Sequence, residues 1–245
     1  MKIFSRTDKG QVRPENQDAY IADYLPGDAA FAVVCDGMGG ANAGNVASSR
    51  AVRMIAEYMT HSYREGMPAE DLEKLLRNAI FSANIELYDM AMTHEAYAGM
   101  GTTVVAALVV GETAAIAHVG DSRIYLVEDG VTQLTRDHSV VQALIETGKI
   151  SPEDAKVHPR KNVITRALGV EESITVDTDL LRLSPGESLL LCTDGLTNYV
   201  EPEEMEQLFK TELPERVPDA LVDRANAHGG GDNITVVTLS LERTE

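Results

Sequence analysis

The stretch Thr103–Val131, TVVAALVVGETAAIAHVGDSRIYLVEDGV, decides how this chain is built. Three β-type runs, Thr103–Val110, Thr113–His118 and Arg123–Val127, are joined only by Gly111–Glu112 and Gly120–Ser122. Asp129–Gly130 is a tight-turn pair between Val127 and Val131, so a further strand should return antiparallel. Parallel neighbours need crossovers of a dozen or more residues. Connections this short argue against a doubly wound parallel sheet and predict antiparallel sheets with helices packed outside them.

Upstream, Lys2–Thr7, Ala19–Tyr24 and Ala30–Cys35 read as strands. The glycine-rich Asp36–Asn42 does not continue the last of them easily. Ala43–Tyr58 repeats Ala43, Ala47, Ala51, Met54, Ile55 and Tyr58 at helical spacing. Pro68 opens a second helix, with Glu70 and Asp71 in its first turn and Leu72, Leu76, Ile80 and Leu87 on its apolar face. Both helices read as coverings of a sheet. Downstream come a helix at Val140–Thr147, strands at Ile174–Leu183 and Glu187–Cys192, helices at Glu203–Phe209 and Pro214–Ala227, and a closing strand at Ile234–Leu239. Lys149–Asn162 is polar, holds Pro152 and Pro159, lacks a clear period and reads as an excursion over the surface.

The 245 residues suit one large layered domain, with two small domains the alternative. A formal charge of −18 disfavours general binding to nucleic acid or to an anionic membrane. No stretch approaches the length of an apolar membrane span, and MKIFSRTDKG lacks the apolar core of a signal peptide, so the expected location is cytoplasmic. Cys35 and Cys192 each lie inside an apolar run and read as buried free thiols.

The two cysteine-bearing runs share a further feature. FAVVCDGMGG at Phe31–Gly40 and LLLCTDGLTN at Leu189–Asn198 each deliver an aspartate, Asp36 and Asp194, where an apolar strand ends. Asp232 precedes the closing strand, so it lies at the opposite kind of boundary. In an antiparallel arrangement an entering end and a leaving end can meet at one edge. Buried carboxylates are costly unless protonated, paired or bound to a cation, and an all-oxygen set suits Mg²⁺ or Mn²⁺. Gly37 and Gly195 lack side chains that would crowd an ion. Arg13 in RPENQD (Arg13–Asp18) offers a rigid fork for phosphate oxygens. Asp121 suits a further cation or a turn cap, and Arg123 suits support of neighbouring carboxylates. His118 and His138 read as structural. Thr102 and Thr103 read as strand formers and local hydrogen-bond donors.

Taken in order, RPENQD, DGMGG (Asp36–Gly40), GMGTT (Gly99–Thr103), HVGDSR (His118–Arg123), LTRDHS (Leu134–Ser139), ITRALG (Ile164–Gly169), CTDGLTN (Cys192–Asn198) and GGGDNIT (Gly229–Thr235) resemble the metal-dependent serine/threonine protein phosphatases of the PP2C superfamily, in their compact bacterial form. The resemblance implies an α+β fold, a four-layer α-β-β-α sandwich with two central antiparallel sheets. It implies one catalytic domain over 1–245, with a flap near 149–162 that helps choose protein substrates.

For the site, the resemblance implies two Mn²⁺ or Mg²⁺ ions bridged by Asp36, with Asp194 and Asp232 completing the ligands of one and the Gly37 carbonyl facing the other. Asp121 together with Asp194 corresponds to a third, accessory ion. Asp18 corresponds to the outer carboxylate that holds metal-bound water, and Arg13 to the phosphate-binding arginine. The implied reaction is direct attack of a metal-bridging water or hydroxide on phosphoserine or phosphothreonine in proteins, reversing bacterial serine/threonine kinase signalling, with a kinase among the partners and a monomer as the working form. Two residues depart from the animal pattern: Gln17 stands at an acidic position, and Met38 replaces the histidine of DGHGG, removing the usual leaving-group acid. The competing readings are a small-phosphoester hydrolase on the same fold and a catalytically silent phosphoprotein-binding module.

Overall fold

The computed structural model describes residues 1–39 and 43–242. The Gly40–Asn42 portion of the glycine-rich turn lies outside the described residues. In chain order the elements are β1 (Lys2–Asp8), β2 (Asp18–Leu25), β3 (Ala29–Met38), α1 (Ala43–Ser62), α2 (Ala69–Thr93), β4 (Gly101–Thr102), β5 (Val104–Val110), β6 (Thr113–Val119), β7 (Arg123–Val127) and β8 (Val131–Gln133). They continue with α3 (Val140–Glu146), α4 (Pro152–Lys156), β9 (Asp177–Arg182), β10 (Ser188–Cys192), α5 (Asp194–Thr197), α6 (Pro202–Thr211), α7 (Val217–Ala227) and β11 (Ile234–Ser240).

Two antiparallel sheets result, one ordered β1-β11-β10-β7-β8 and the other β2-β3-β5-β6-β9, with the short β4 paired to β3. Apolar side chains alternate between two different cores. In β3, Phe31, Val33 and Cys35 join α1 and α2, whereas Ala32 and Val34 face the space between the sheets. In β10, Leu190 and Cys192 join α7, whereas Leu189 and Leu191 face the inter-sheet core. The four layers are therefore helices, sheet, sheet, helices. Covering both faces explains why these antiparallel strands read as unbroken apolar runs, a pattern more usual in parallel sheets. Each fully buried side chain of this kind, such as Leu76 or Ile80 of α2, stabilises by about 1.5–3 kcal/mol relative to exposure.

Several boundaries differ from the sequence reading. β3 runs on through Asp36 and Gly37, because Gly37 and Met38 pair with Thr102 and Gly101. Asp194 opens the short α5 instead of an open turn. The region 149–162 contains α4, whose Ser151 Oγ accepts from Asp154 N while Asp154 accepts from Ser151 N. Five residues are too few to display a period. The strand expected from Ile174 begins at Asp177, and the helix expected from Pro214 is a 3₁₀ turn over Pro214–Arg216 followed by α7. Both thiols are buried and free, and burial pushes the Cys192 thiol up to about 12. No described helix is long and apolar enough to cross a membrane.

Candidate functional site

The registers bring distant strand ends to one edge of the sandwich. Asp18 opens β2 opposite Asp36. β10 leaves and β11 enters side by side, with Cys192 opposite Val236, and Cys192 also faces Arg123 at the start of β7. Asp194 and Asp232 thus come from adjacent strand ends, and Asp121 from the turn before β7. The result is a cleft of 540 Å³ whose lining includes Arg13, Asp36, Gly37, Asp121, Asp194 and Asp232. Asp18 lies beneath it, 8% exposed. The seven expected site residues, Arg13, Asp18, Asp36, Gly37, Asp121, Asp194 and Asp232, are thus gathered in or beside one cleft.

Local hydrogen bonding fixes the backbones and leaves one buried oxygen each of Asp18 and Asp194 without a partner. Asp36 N donates to Thr103 Oγ1 at 3.0 Å, and Asp36 O accepts from Thr102 Oγ1 at 2.8 Å and Thr103 N at 2.9 Å. Thr103 Oγ1 also pairs with Ser122 Oγ at 2.7 Å, which joins the β3 exit to the Asp121 turn. Asp18 Oδ2 accepts from Thr193 Oγ1 and Thr235 Oγ1 at 2.8 and 2.7 Å. Its Oδ1 is buried without a partner, and so is Asp194 Oδ1. Arg13 Nη2 donates to Asp232 Oδ2 at 2.8 Å.

Burial pushes the Asp36 carboxyl well above the usual carboxylate range, and the charges of Asp18, Asp194, Asp121 and Asp232 push it further. The same cause, loss of hydration first and neighbouring carboxylates second, raises Asp121 to about 7 and Asp194 to about 6. Asp18 rises to about 7 by burial, opposed by the two threonine hydroxyls. Buried carboxylates with orphaned oxygens fit divalent cations taken by oxygen ligands.

The glycines also allow close backbone approach. A Cβ on Gly37 would lie 2.1 Å from Gly44 O, and one on Gly195 would lie 1.9 Å from Asn233 O. The close neighbour is backbone in both cases, so these residues permit two chain segments to approach.

Three supporting residues escaped the sequence reading. Asn233 accepts from Gln17 N at 2.8 Å and donates to Lys9 O and Glu15 O at 2.9 and 2.8 Å, stapling the Arg13 loop beside Asp232. Asp137 takes Arg123 in a fork, Nε to Oδ1 at 2.9 Å and Nη2 to Oδ2 at 2.7 Å. Arg123 therefore supports a carboxylate, as expected, though the carboxylate is Asp137. Asp177, the third, carries His138 and Arg166. GGGDNIT and LTRDHS contain Asn233 and Asp137, but nothing in their spacing reveals a partner.

One group of residues combines imidazole and carboxylate ligand atoms: His118, His138 and Asp177, with atoms within 4.8 Å of one another. The lone pair of His138 Nδ1 accepts from Gly120 N at 3.1 Å, and Asp177 meets both His138 Nε2 and Arg166. The His138 nitrogens and the Asp177 oxygens are already engaged, in contrast to the orphaned oxygens of Asp18 and Asp194.

Residues 8–223 match the sequence family Protein phosphatase 2C. The chain is 43% identical over 243 residues to serine/threonine phosphatase stp of Listeria monocytogenes, covering 98% of this chain and 96% of the relative. It superposes on serine/threonine phosphatase Stp1 of Staphylococcus aureus with a TM-score of 0.92 at 37% identity, covering 99% and 95% of the two chains. On the catalytic domain of serine threonine protein phosphatase PstP in complex with two manganese ions the TM-score is 0.87 at 31% identity, covering 99% and 98%.

Proposed function

This chain belongs to the protein phosphatase 2C family and is a metal-dependent serine/threonine phosphatase; from that premise we propose that the aspartate cleft holds two divalent cations, Mn²⁺ or Mg²⁺, with an accessory third. The observation that carries this reading is the convergence of Asp36, Asp121, Asp194 and Asp232 on one cleft, with uncompensated charge and an orphaned Asp194 oxygen. Asp36 would serve both ions, Asp194 and Asp232 one of them and the Gly37 carbonyl the other, and Asp121 with Asp194 would hold the accessory ion. When bound, such ions lower the pKa of water and neutralise developing negative charge on a phosphoryl group.

The chain's own residues do the rest. Arg13, half-exposed at the cleft and already paired with one carboxylate oxygen, holds a phosphoryl oxygen through its second nitrogen edge. Asp18, fixed by Thr193 and Thr235 through Oδ2, keeps Oδ1 without a protein partner, an acceptor for a water beside Asp36. Among the described residues no imidazole lines the cleft, so no histidine is assigned to protonate the leaving alkoxide. The substrates are phosphoserine and phosphothreonine proteins, including targets of a serine/threonine kinase. Residues 1–245 act as one catalytic unit, with 149–162 in its flap.

The test is phosphate release from a phosphothreonine peptide, with Mn²⁺ and with chelator, for wild type and Asp36→Asn. Release is expected only with Mn²⁺, and the variant should lose it together with one or more equivalents of bound Mn²⁺. Wild-type turnover by Asp36→Asn at saturating Mn²⁺ would refute the shared-ligand role, and undiminished turnover in chelator would refute the reading as a whole.

A further inference from the structure

The motifs LTRDHS and ITRALG supply no carboxylate to the cleft, yet both meet at His138. The backbone N of His138 donates to Gly120 O at 2.9 Å, and Gly120 N donates back to His138 Nδ1 at 3.1 Å. Both peptide groups of the residue preceding Asp121 are therefore held by one residue. His138 O accepts from Thr165 N at 2.7 Å, and next to it Val140 N donates to Val163 O at 2.9 Å. Ser139 and Ile164 pair across the same neck. The excursion carrying α3 and α4 thus leaves and re-enters the sandwich at His138.

The hydrogen bonds fix the ring's tautomer. A backbone N–H can only donate, so Nδ1 carries the lone pair and the proton sits on Nε2. Nε2–H then donates to Asp177 Oδ2 at 3.1 Å, while Arg166 Nη1 donates to Asp177 Oδ1 at 2.9 Å. The 3.1 Å approach of Arg166 Nη1 to His138 Nε2 is a meeting of two donors that converge on one carboxylate. His118 stacks on the ring, centroids 4.7 Å apart and planes 14° apart, and its own Nε2 donates to Arg136 O at 2.9 Å. Burial keeps both imidazoles neutral by pushing their pKa down. The turn is tied to the metal edge as well, since Thr103 bonds both Asp36 N and Ser122 Oγ.

We propose that His138 is a positioning residue that locks the Gly120–Asp121 turn of the metal edge to the neck of the flap. Its Nδ1 face sets the Asp121 carboxylate, and its Nε2 face, through Asp177 and Arg166, sets the segment that carries Ile164 into the cleft. The functional half of this assignment rests on Asp121 serving the accessory ion; the structural half does not. Two substitutions separate the faces. In His138→Asn the side-chain oxygen stands where Nδ1 stood and accepts from Gly120 N, but the chain is too short for Asp177. In His138→Gln the amide reaches toward Asp177 and leaves Gly120 N without an acceptor.

Ring-¹⁵N NMR of the metal-free wild-type protein should find Nδ1 bare and Nε2 protonated at neutral pH. The opposite tautomer, an imidazolium, or a His138 nitrogen that shifts as a ligand on addition of Zn²⁺ would overturn the assignment. Hydrogen exchange of the Gly120 amide in metal-free protein should quicken about 10-fold in His138→Gln, the loss of one hydrogen bond, and remain near wild type in His138→Asn. Equal exchange in the two variants would overturn it. In the loaded enzyme, His138→Gln should need about 10-fold more Mn²⁺ for half-maximal activity on p-nitrophenyl phosphate and phosphothreonine peptide alike, as outer-shell changes commonly do. His138→Asn should raise KM for the peptide while leaving p-nitrophenyl phosphate turnover and its Mn²⁺ requirement unchanged. The reverse split would overturn the division of labour. If neither substrate is hydrolysed by wild type, the proposed function fails, while the tautomer and exchange results still judge the lock.

Discussion

Asp194→Asn should stabilise the metal-free protein and destabilise the loaded one. Burial and the neighbouring Asp232 lift the Asp194 carboxyl from its ordinary 3.8 to about 6. A native pKa above the unfolded value means the folded state holds a proton that the unfolded chain has already released. The resulting stability is fully present below 3.8 and is lost as pH rises through about 6. At about 1.4 kcal/mol per pH unit, the loss reaches about 3 kcal/mol at pH 8 and about half of that at pH 5. An asparagine has the same shape, accepts from Asn198 Nδ2 as Asp194 Oδ2 does at 3.0 Å, and carries no charge to desolvate. In chelator at pH 8 the variant should therefore be more stable by up to about 3 kcal/mol, or about 6–12 °C in Tm for a chain of this size. The gain should shrink as pH falls. His118 and His138, lowered by burial, lose stability in the opposite direction as pH falls, but they do so in both proteins and cancel in the difference. Saturating Mn²⁺ should reverse the order, because binding to the folded state adds about 2.7 kcal/mol per site at 100 times Kd. Thermal denaturation of both proteins at pH 5 and pH 8, each with chelator and with Mn²⁺, measures all of this. A variant less stable than wild type in chelator at pH 8, or one with the wild-type pH course, would refute the argument that uncompensated carboxylate charge defines the cleft.

Other outcomes follow from the same geometry. Asp18→Asn should weaken Mn²⁺ binding by about 10–100-fold without removing it, the usual scale for an outer partner; calorimetric titration checks this, and an unchanged affinity would contradict the role. Arg13→Ala should lower kcat/KM for a phosphothreonine peptide by about 10–100-fold, the loss of a charge-assisted hydrogen bond of about 1.5–3 kcal/mol, with the circular dichroism unaltered. An unchanged specificity constant would remove Arg13 from phosphate recognition. Asn233→Ala strands Gln17 N, Lys9 O and Glu15 O and should cost about 1–3 kcal/mol of stability, readable by urea denaturation, together with weaker phosphate recognition as the Arg13 loop loosens.

The strand runs, the short connections and the acidic strand ends were all legible along the chain. Thr103–Val131 excluded a parallel sheet because connection length is a local quantity. Asp36, Asp194 and Asp232 could be singled out because an aspartate at the end of an apolar run conflicts with burial unless something compensates it. Other features were not local. β3 extends past Cys35 because β4 is there to pair with it, and a two-residue strand has no pattern of its own. α4 is too short to show a period. The glycines at 37 and 195 read as room for an ion, and that each also makes way for another segment's backbone was not visible.

From the sequence alone came the identity of the chemical groups and their order: carboxylates at the ends of apolar strands, an arginine upstream, a lone cysteine in each of two apolar runs. Which of those groups face one another, and which stay unsatisfied, was decided only by the packing of the two sheets. Registers such as Asp18 opposite Asp36 and Cys192 opposite both Val236 and Arg123 join residues that are not neighbours along the chain. The same packing engages the lone pairs of His138 and leaves oxygens of Asp18 and Asp194 bare. Satisfaction of a polar atom depends on its neighbours in space, and no spacing along the chain encodes them.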